Sequence, residues 1–273
     1  MNNVLVVVPT FDEAGNIATL IERVLVAEPR ADILVVDDGS PDGTGDLVAD
    51  VASTEPRVHL LRRSGKSGLG SAYRAGFAWG REQGYDVLIE MDADLSHPAD
   101  RLPALVDGLG QADLVIGSRY VAGGGTANWP WTRQAISRVG NTYVRLALGV
   151  HVNDATAGFR AFNTDILDRI GFAELTSDGY CFQVETTYRT ARAGGRITEV
   201  PITFTERVHG SSKMSNEIVR EALWRVTMWG IGDLFRRGST NRGAASPRRR
   251  AGAVGVLFGV AIAAVWALKS LRS

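Results

Sequence analysis

Residues 86 to 98 read DVLIEMDADLSHP, an apolar run that passes straight into Glu90, Asp92 and Asp94. In an extended segment residues two apart face the same side, so the three acids converge if the strand persists that far. Four further runs share the apolar signature: NVLVVVP (3–9), ADILVVDD (31–38), VHLLRR (58–63) and DLVIGSR (113–119). Unbroken Val, Ile and Leu means burial on both faces, as in a parallel sheet. Between the first two runs Ile17, Leu20, Ile21, Val24 and Leu25 recur at helical spacing after Asn16, and residues 68–83 and 98–109 also read as helices. This alternation predicts an α/β fold, a mostly parallel sheet with helices on both sides. After residue 119 the pattern loosens into a Gly-rich, Trp-bearing loop (GGGTANWPW, 123–131), a helix over 133–148 and a strand within RITEVPITFTER (196–207).

The chain has 273 residues, 45% hydrophobic and 22% charged, enough for one large domain with appendages and unlike a disordered chain. Net charge is zero, yet no acid follows Asp233 while eight basic residues do, leaving the tail at +8 and the body at −8. The body carries no nucleic-acid footprint, and the basic tail suits an anionic membrane surface. Cys181 is the one cysteine, which rules out an internal disulfide and fits a reducing compartment. The first residues have too short an apolar run, and no basic leader, for a signal peptide, so the body is expected in the cytoplasm. His59, His97, His151 and His209 show no paired spacing, which argues against zinc.

Ligands of α/β sheets bind beyond the carboxyl ends of the strands, where Asp92 and Asp94 fall. Carboxylates this close repel one another unless a cation offsets the charge. Oxygen-only ligands favour Mg²⁺ or Mn²⁺. The plain alternative is a solvated acidic turn before a helix start at Ser96-His97-Pro98, and position after a buried strand weighs against it. Asp37 and Asp38 end another buried strand, with Asp42 or Thr44 placed to cap the helix that follows. Pro9, Phe11 and Glu13 close the first strand. Three strand ends thus bring acids and an aromatic ring to one crevice, a combination suited to a base and a ribose.

VVVPTFDEAGNI, ILVVDDGSPDGT, GKSGLGSAYRAGF, DADLSHP, VIGSRY, DATAGFRAF and ERVHGSSKMS, taken in this order, resemble glycosyltransferase family 2 and within it the polyprenyl (dolichyl) phosphate mannosyltransferases. The resemblance covers residues 4–215 or so. It implies a GT-A fold, a GDP-mannose donor, a divalent metal and a polyprenyl phosphate acceptor. It also implies Pro9, Phe11, Glu13, Val36 and Asp38 around the nucleoside, with Asp92, Ala93 and Asp94 at the ribose, metal and diphosphate. Arg119, Arg133 and Ser137 fall at the acceptor phosphate, and Arg207 and Lys213 at the diphosphates. Position 96 departs from the pattern: many relatives have Gln where this chain has Ser96, which otherwise joins the donor-binding set.

The chemistry can be argued apart from the family. A sugar leaving a nucleoside diphosphate passes through an oxocarbenium-like state while charge builds on the diphosphate, which a metal held by Asp92 and Asp94 stabilises. A phosphate monoester, with a second pKa near ~6, arrives mostly ionised, so no general base is required. It needs cations to hold it, and arginine suits that task. Arg119 is therefore grouped with Asp92 and Asp94 as catalytic. Lys66, in SGKSGLG, is a further phosphate candidate but lacks the Walker pattern. Asp154 and Arg160 are read as a buried pair shaping the acceptor pocket, and Glu185 as helical and facing the same region. HGSSKMS (209–215) reads as a loop that closes over the donor.

These readings divide the chain into a catalytic domain (1–213), an amphipathic or interfacial helix (214–236), a basic linker (237–250) and a membrane-anchoring helix (251–269). Residues 251–268 are uncharged and as a helix span roughly 27 Å, near the minimum for a bilayer, against the alternative of an interfacial or buried helix. Arg248 to Arg250 then face the cytoplasmic side of the plasma membrane. The Gly255-x-x-x-Gly259 pair offers a tail-mediated homo-oligomer. Two other readings stand beside this one: a UDP-glucose or other UDP-sugar transferase on the same fold, and a nucleotide-binding or phosphoacceptor regulatory domain without turnover.

Overall fold

The computed structural model describes residues 3–177, 179–206 and 216–240. Seven strands form one sheet in the order β3-β2-β1-β4-β7-β5-β8. They are β1 (Val4–Thr10), β2 (Ala31–Asp37), β3 (Val58–Arg62), β4 (Val87–Glu90), β5 (Leu114–Ser118), β7 (Arg160–Asn163) and β8 (Ile197–Pro201). All pairs are parallel except those of β7, which lies antiparallel between β4 and β5. β6 (Gly125–Ala127) and β9 (Thr203–Thr205) form a separate two-stranded sheet. The stretch expected as one strand over 196–207 is therefore two, each serving a different sheet.

Helices cover both faces, as the alternation predicts. On one face α1 (Ile17–Ala27), α2 (Thr44–Ala52) and α4 (Leu102–Gly108) pack Ile17, Leu20, Val24, Val48 and Leu105 against Val4, Val6 and Val8. On the other, α3 (Leu69–Glu82), α5 (Trp131–Leu148), α6 (Thr164–Arg169) and α7 (Gly179–Arg192) pack Phe77, Tyr143, Leu167 and Phe182 around Leu5, Val7 and Leu88. Within β1 the residues alternate between the two clusters, so the strand has no solvent face. α3 lies close to the sheet because it carries Gly80, where a Cβ would stand 2.7 Å from Leu5 and Leu88. α8 (Asn216–Thr240) lies on α5 and α7, with Val226 buried, Tyr143 bonded to Thr227 at 2.5 Å and Trp229 stacked on Tyr188.

Among the described residues no helix is long and apolar enough to cross a membrane. The first residues of the expected linker, 237–240, belong to α8; the rest of it (241–250), the anchoring helix at 251–269, the Gly255–Gly259 pair, the loop at 209–215, Arg207 and Lys213 lie outside the described residues.

Candidate active site

The carboxyl ends of β1, β2 and β4 open onto a cavity of about 440 Å³. Pro9, Phe11, Glu13, Asp38, Asp92, Ala93 and Asp94 all line it, as do Arg119 and Arg133. Seven of the eleven expected donor residues are therefore brought together with two of the three expected acceptor residues. Ser137 lines a smaller adjoining groove instead. Val36 is fully buried in the core, and Ser96, 2% exposed, is not part of the lining.

Each wall has a local cause. β4 stops at Glu90, so Glu90 does not join Asp92 and Asp94 as an extended strand would place it. Its carboxyl is fully buried, and burial pushes its pKa up to about 8, partly offset by Arg160. Beyond it the main chain turns. The Asp92 N–H donates to His97 Nδ1 at 3.0 Å, His97 is stacked on Phe159 at 5.1 Å, and the Ser96 N–H donates to the Asp94 carboxylate at 3.1 Å. The Asp92 side chain is 33% exposed while Asp94 is only 7% exposed. Tyr73 donates to Asp92 at 3.4 Å, and burial followed by the charge of Asp92 holds its phenol well above the ordinary range.

At the end of β2 the two adjacent acids have different tasks. Asp37 accepts from Thr10 at 3.0 Å and from the Ser40 N–H and hydroxyl, closing the turn. Asp38 faces the cavity beside Arg63 at 3.3 Å. Asp42 serves the start of α2, accepting from the Thr44 N–H at 3.0 Å and also from the Ala14 N–H at 2.9 Å. Glu13 N–H donates to the Thr44 hydroxyl at 3.0 Å. These bonds pin the 11–16 loop over α2 and hold Phe11 and Glu13 at the rim. Lys66 lies 4.3 Å from the centre of the Phe11 ring, also on the cavity wall.

The opposite wall is cationic. Arg119 Nε and Nη2 donate to the two carboxylate oxygens of Asp154 at 2.7 and 2.6 Å, and Nη2 also donates to Thr156 at 2.9 Å. Arg133 stacks 4.0 Å from the centre of the Trp129 ring and pairs with Glu206. The expected Asp154–Arg160 pair is not formed. Asp154 belongs to Arg119, and Arg160 is instead wrapped by backbone carbonyls and threonine hydroxyls, with burial lowering its pKa to about 10. Glu185 likewise turns away from the cavity, to Ser177 and Arg189. Trp129, Thr156 and Phe204, unassigned from sequence, complete this wall. Motif membership was the available signal for Thr156, and the lone Trp-Pro in a Gly-rich loop for Trp129.

Beyond Arg119 and Arg133 the cavity adjoins an apolar groove of about 130 Å³ between α5, α7 and α8, lined by Ile136, Val144, Val184, Leu223 and Val226. Asp92 and Asp94 bring only carboxylate oxygens to the lining. No group of three His, Cys, Asp or Glu side chains is disposed to hold a metal among the described residues. Two carboxylates fit a hard divalent ion that keeps water and phosphate in most of its shell, and do not fit zinc.

The sheet order, the acids at its carboxyl edge and the cationic wall facing them define an α/β protein of GT-A type. Residues 5–171 match the model of glycosyl transferase family 2. The chain is 51% identical over 229 residues to the polyprenol monophosphomannose synthase of Mycolicibacterium smegmatis, covering 83% of this chain and 86% of that one. It is 53% identical over 228 residues to the undecaprenyl-phosphate mannosyltransferase of Micrococcus luteus, covering 84% and 94%. Its fold is similar to that of the mannosyltransferase PcManGT from Pyrobaculum calidifontis, solved in complex with GDP-Man and Mn²⁺, with a TM-score of 0.56 at 19% identity over 98% of this chain and 75% of that one. The chain belongs to glycosyl transferase family 2 and is a glycosyltransferase.

Proposed function

We propose that the protein transfers mannose from GDP-mannose to a polyprenyl phosphate, with inversion at the anomeric carbon, at the cytoplasmic face of the plasma membrane and with Mg²⁺ or Mn²⁺. The observation that carries this reading is a cavity that joins an acidic floor, Asp92 and Asp94, to Arg119 and Arg133, with an apolar groove that shares the same two arginines. An anionic leaving group, a second anion and a hydrocarbon chain each find their complement there. The names of the two bacterial relatives, which act on prenyl phosphates and transfer mannose, support the same substrates. The donor and ion bound to the archaeal mannosyltransferase support GDP and a divalent metal.

Asp92 and Asp94 would hold the ion, which supplies Lewis-acid stabilisation of the charge gathering on the departing diphosphate. The 11–16 loop and Asp38 hold the nucleoside end, and Lys66 adds a cation to that wall. Arg119, oriented by Asp154, and Arg133, stacked on Trp129, receive the acceptor phosphate. An ionised phosphate oxygen then attacks the anomeric carbon, the bond to the diphosphate oxygen breaks, and its electron pair leaves with GDP. One displacement inverts the centre. Glu206 occupies Arg133 in the structure, standing where an acceptor oxygen would bind.

α5 turns Trp131, Val139 and Leu146 outward, 72%, 53% and 69% exposed, at the spacing of one helical stripe. With Trp224 on α8, 61% exposed, this stripe supports docking on a bilayer that holds the acceptor. The test incubates membranes carrying the full chain with radiolabelled GDP-mannose or UDP-glucose and extracts the lipid product. Label from GDP-mannose alone is expected in an alkali-stable, mild-acid-labile prenyl phosphate sugar. Label entering only from UDP-glucose overturns the donor assignment.

A further inference from the structure

Gln183, in the second turn of α7, is 2% exposed and lines the main cavity. By ordinary hydrogen-bond distance and angle neither its Oε1 nor its Nε2 has a partner among the described residues; the amide meets only the Glu90 carboxyl, in looser geometry, which leaves bonding capacity open to the cavity. Native folds rarely bury a carboxamide in this way unless something outside the chain completes it.

The position of Gln183 is built with unusual rigidity. Arg160, fully buried on β7, donates from Nη1 to the Gln183 carbonyl at 2.7 Å and to the Thr186 and Thr187 hydroxyls at 2.9 Å. From Nε and Nη2 it donates to the carbonyls of Ala157 at 2.6 Å and Ala155 at 2.7 Å. One guanidinium thus ties the start of α7 to the strip of cavity wall that contains Thr156, which itself accepts from Arg119. On its other side the Gln183 amide lies beside the Glu90 carboxyl, at the base of the Asp92 turn. The amide is therefore held between the acidic floor and the arginine wall. If the diphosphate occupies the first and the acceptor phosphate the second, the hexose lies between them.

We infer that Gln183 is a specificity-determining residue whose side-chain amide hydrogen-bonds a hydroxyl of the transferred hexose. The inference rests on the donor reading given above and deepens it. A site built to bond a hydroxyl rejects the analogue that lacks it, because its own buried polar group is then left without a partner. Removing the amide removes that rejection.

The experiment measures kcat/KM for GDP-mannose and its 2-, 3-, 4- and 6-deoxy analogues with the full chain and with Gln183→Met, which keeps the volume and deletes the amide. The wild type is expected to disfavour at least one deoxy donor by tenfold or more, and Gln183→Met to bring that ratio to within about threefold of unity. Ratios for all four analogues that are unchanged in the variant overturn the inference, and water alone then serves the amide. If Gln183→Met fails to fold, Gln183→Asn provides the same comparison, with its shortened amide expected to shrink the same ratio at least threefold. No turnover of GDP-mannose by the wild type would instead defeat the donor reading itself, which keeps the two failures apart.

Discussion

The Arg119 guanidinium grips Asp154 with both Nε and Nη2, at 2.7 and 2.6 Å, and neither side chain is more than 5% exposed. Asp154 also accepts the Arg119 backbone N–H at 3.0 Å, so the carboxylate fixes the main chain after β5 as well as the side chain. Asp154→Asn leaves a buried guanidinium without its counter-charge. A loss of about 3–5 kcal/mol is expected in urea denaturation, the range for breaking a buried pair from one side. A loss under about 1 kcal/mol would remove Asp154 as the element that positions Arg119.

Glu206 and the acceptor phosphate compete for Arg133 in the proposed reaction. Glu206→Gln removes the competing charge and is expected to lower KM for a short-chain polyprenyl phosphate severalfold with kcat little changed. Arg133→Ala is expected to raise the same KM at least tenfold. Steady-state kinetics in detergent reads both, and a Glu206→Gln variant with a raised KM would mean that Glu206 helps to bind the acceptor.

The outward stripe of α5 predicts a separable membrane contact. Replacing Trp131, Val139 and Leu146 together by serine should weaken cosedimentation with anionic lipid vesicles, while turnover of a short-chain acceptor in detergent stays within about twofold. Equal vesicle binding by the two proteins would show that this face does not meet the bilayer.

Cys181 is 2% exposed, and burial raises its thiol to about 11. Because the folded pKa lies above the unfolded one, the fold favours the protonated thiol. That contribution is complete below the ordinary thiol pKa near 9 and is lost as pH rises through about 11. At pH 8 iodoacetamide should therefore label the native chain about 100-fold more slowly than the chain in guanidinium. Comparable rates would place the thiol on a surface.

Much of the sheet was legible because its strands are buried on both faces. Five apolar runs became β1 to β5, and Asp92 and Asp94 follow β4 where a ligand-binding acid belongs. What escaped depended on contacts distant in sequence. β7 is four residues long and runs against its neighbours, so DATAGFRAF carried no periodic signal for it. The partner of Asp154 was misread for a related reason. Arg119 and Arg160 are both plausible arginines, and the choice is made by where β5 ends. Period-two spacing grouped Glu90 with Asp92 and Asp94, but the chain leaves the strand at Glu90 and turns it into the core. Gln183 gave no signal at all, since a glutamine in FQVETTY reads as an ordinary helical residue until its surroundings are seen.

The claim on which the account depends is that Asp92 and Asp94 hold a divalent ion against the departing diphosphate. The direct measurement is the initial rate of mannose transfer to prenyl phosphate by chelator-treated protein, titrated with Mn²⁺ or Mg²⁺, for the wild type and for Asp92→Asn and Asp94→Asn. The account predicts no transfer without metal, saturable recovery in the wild type, and a maximal rate lowered by at least about 100-fold in each variant. Transfer that persists in excess chelator, or that survives both substitutions undiminished, would contradict it.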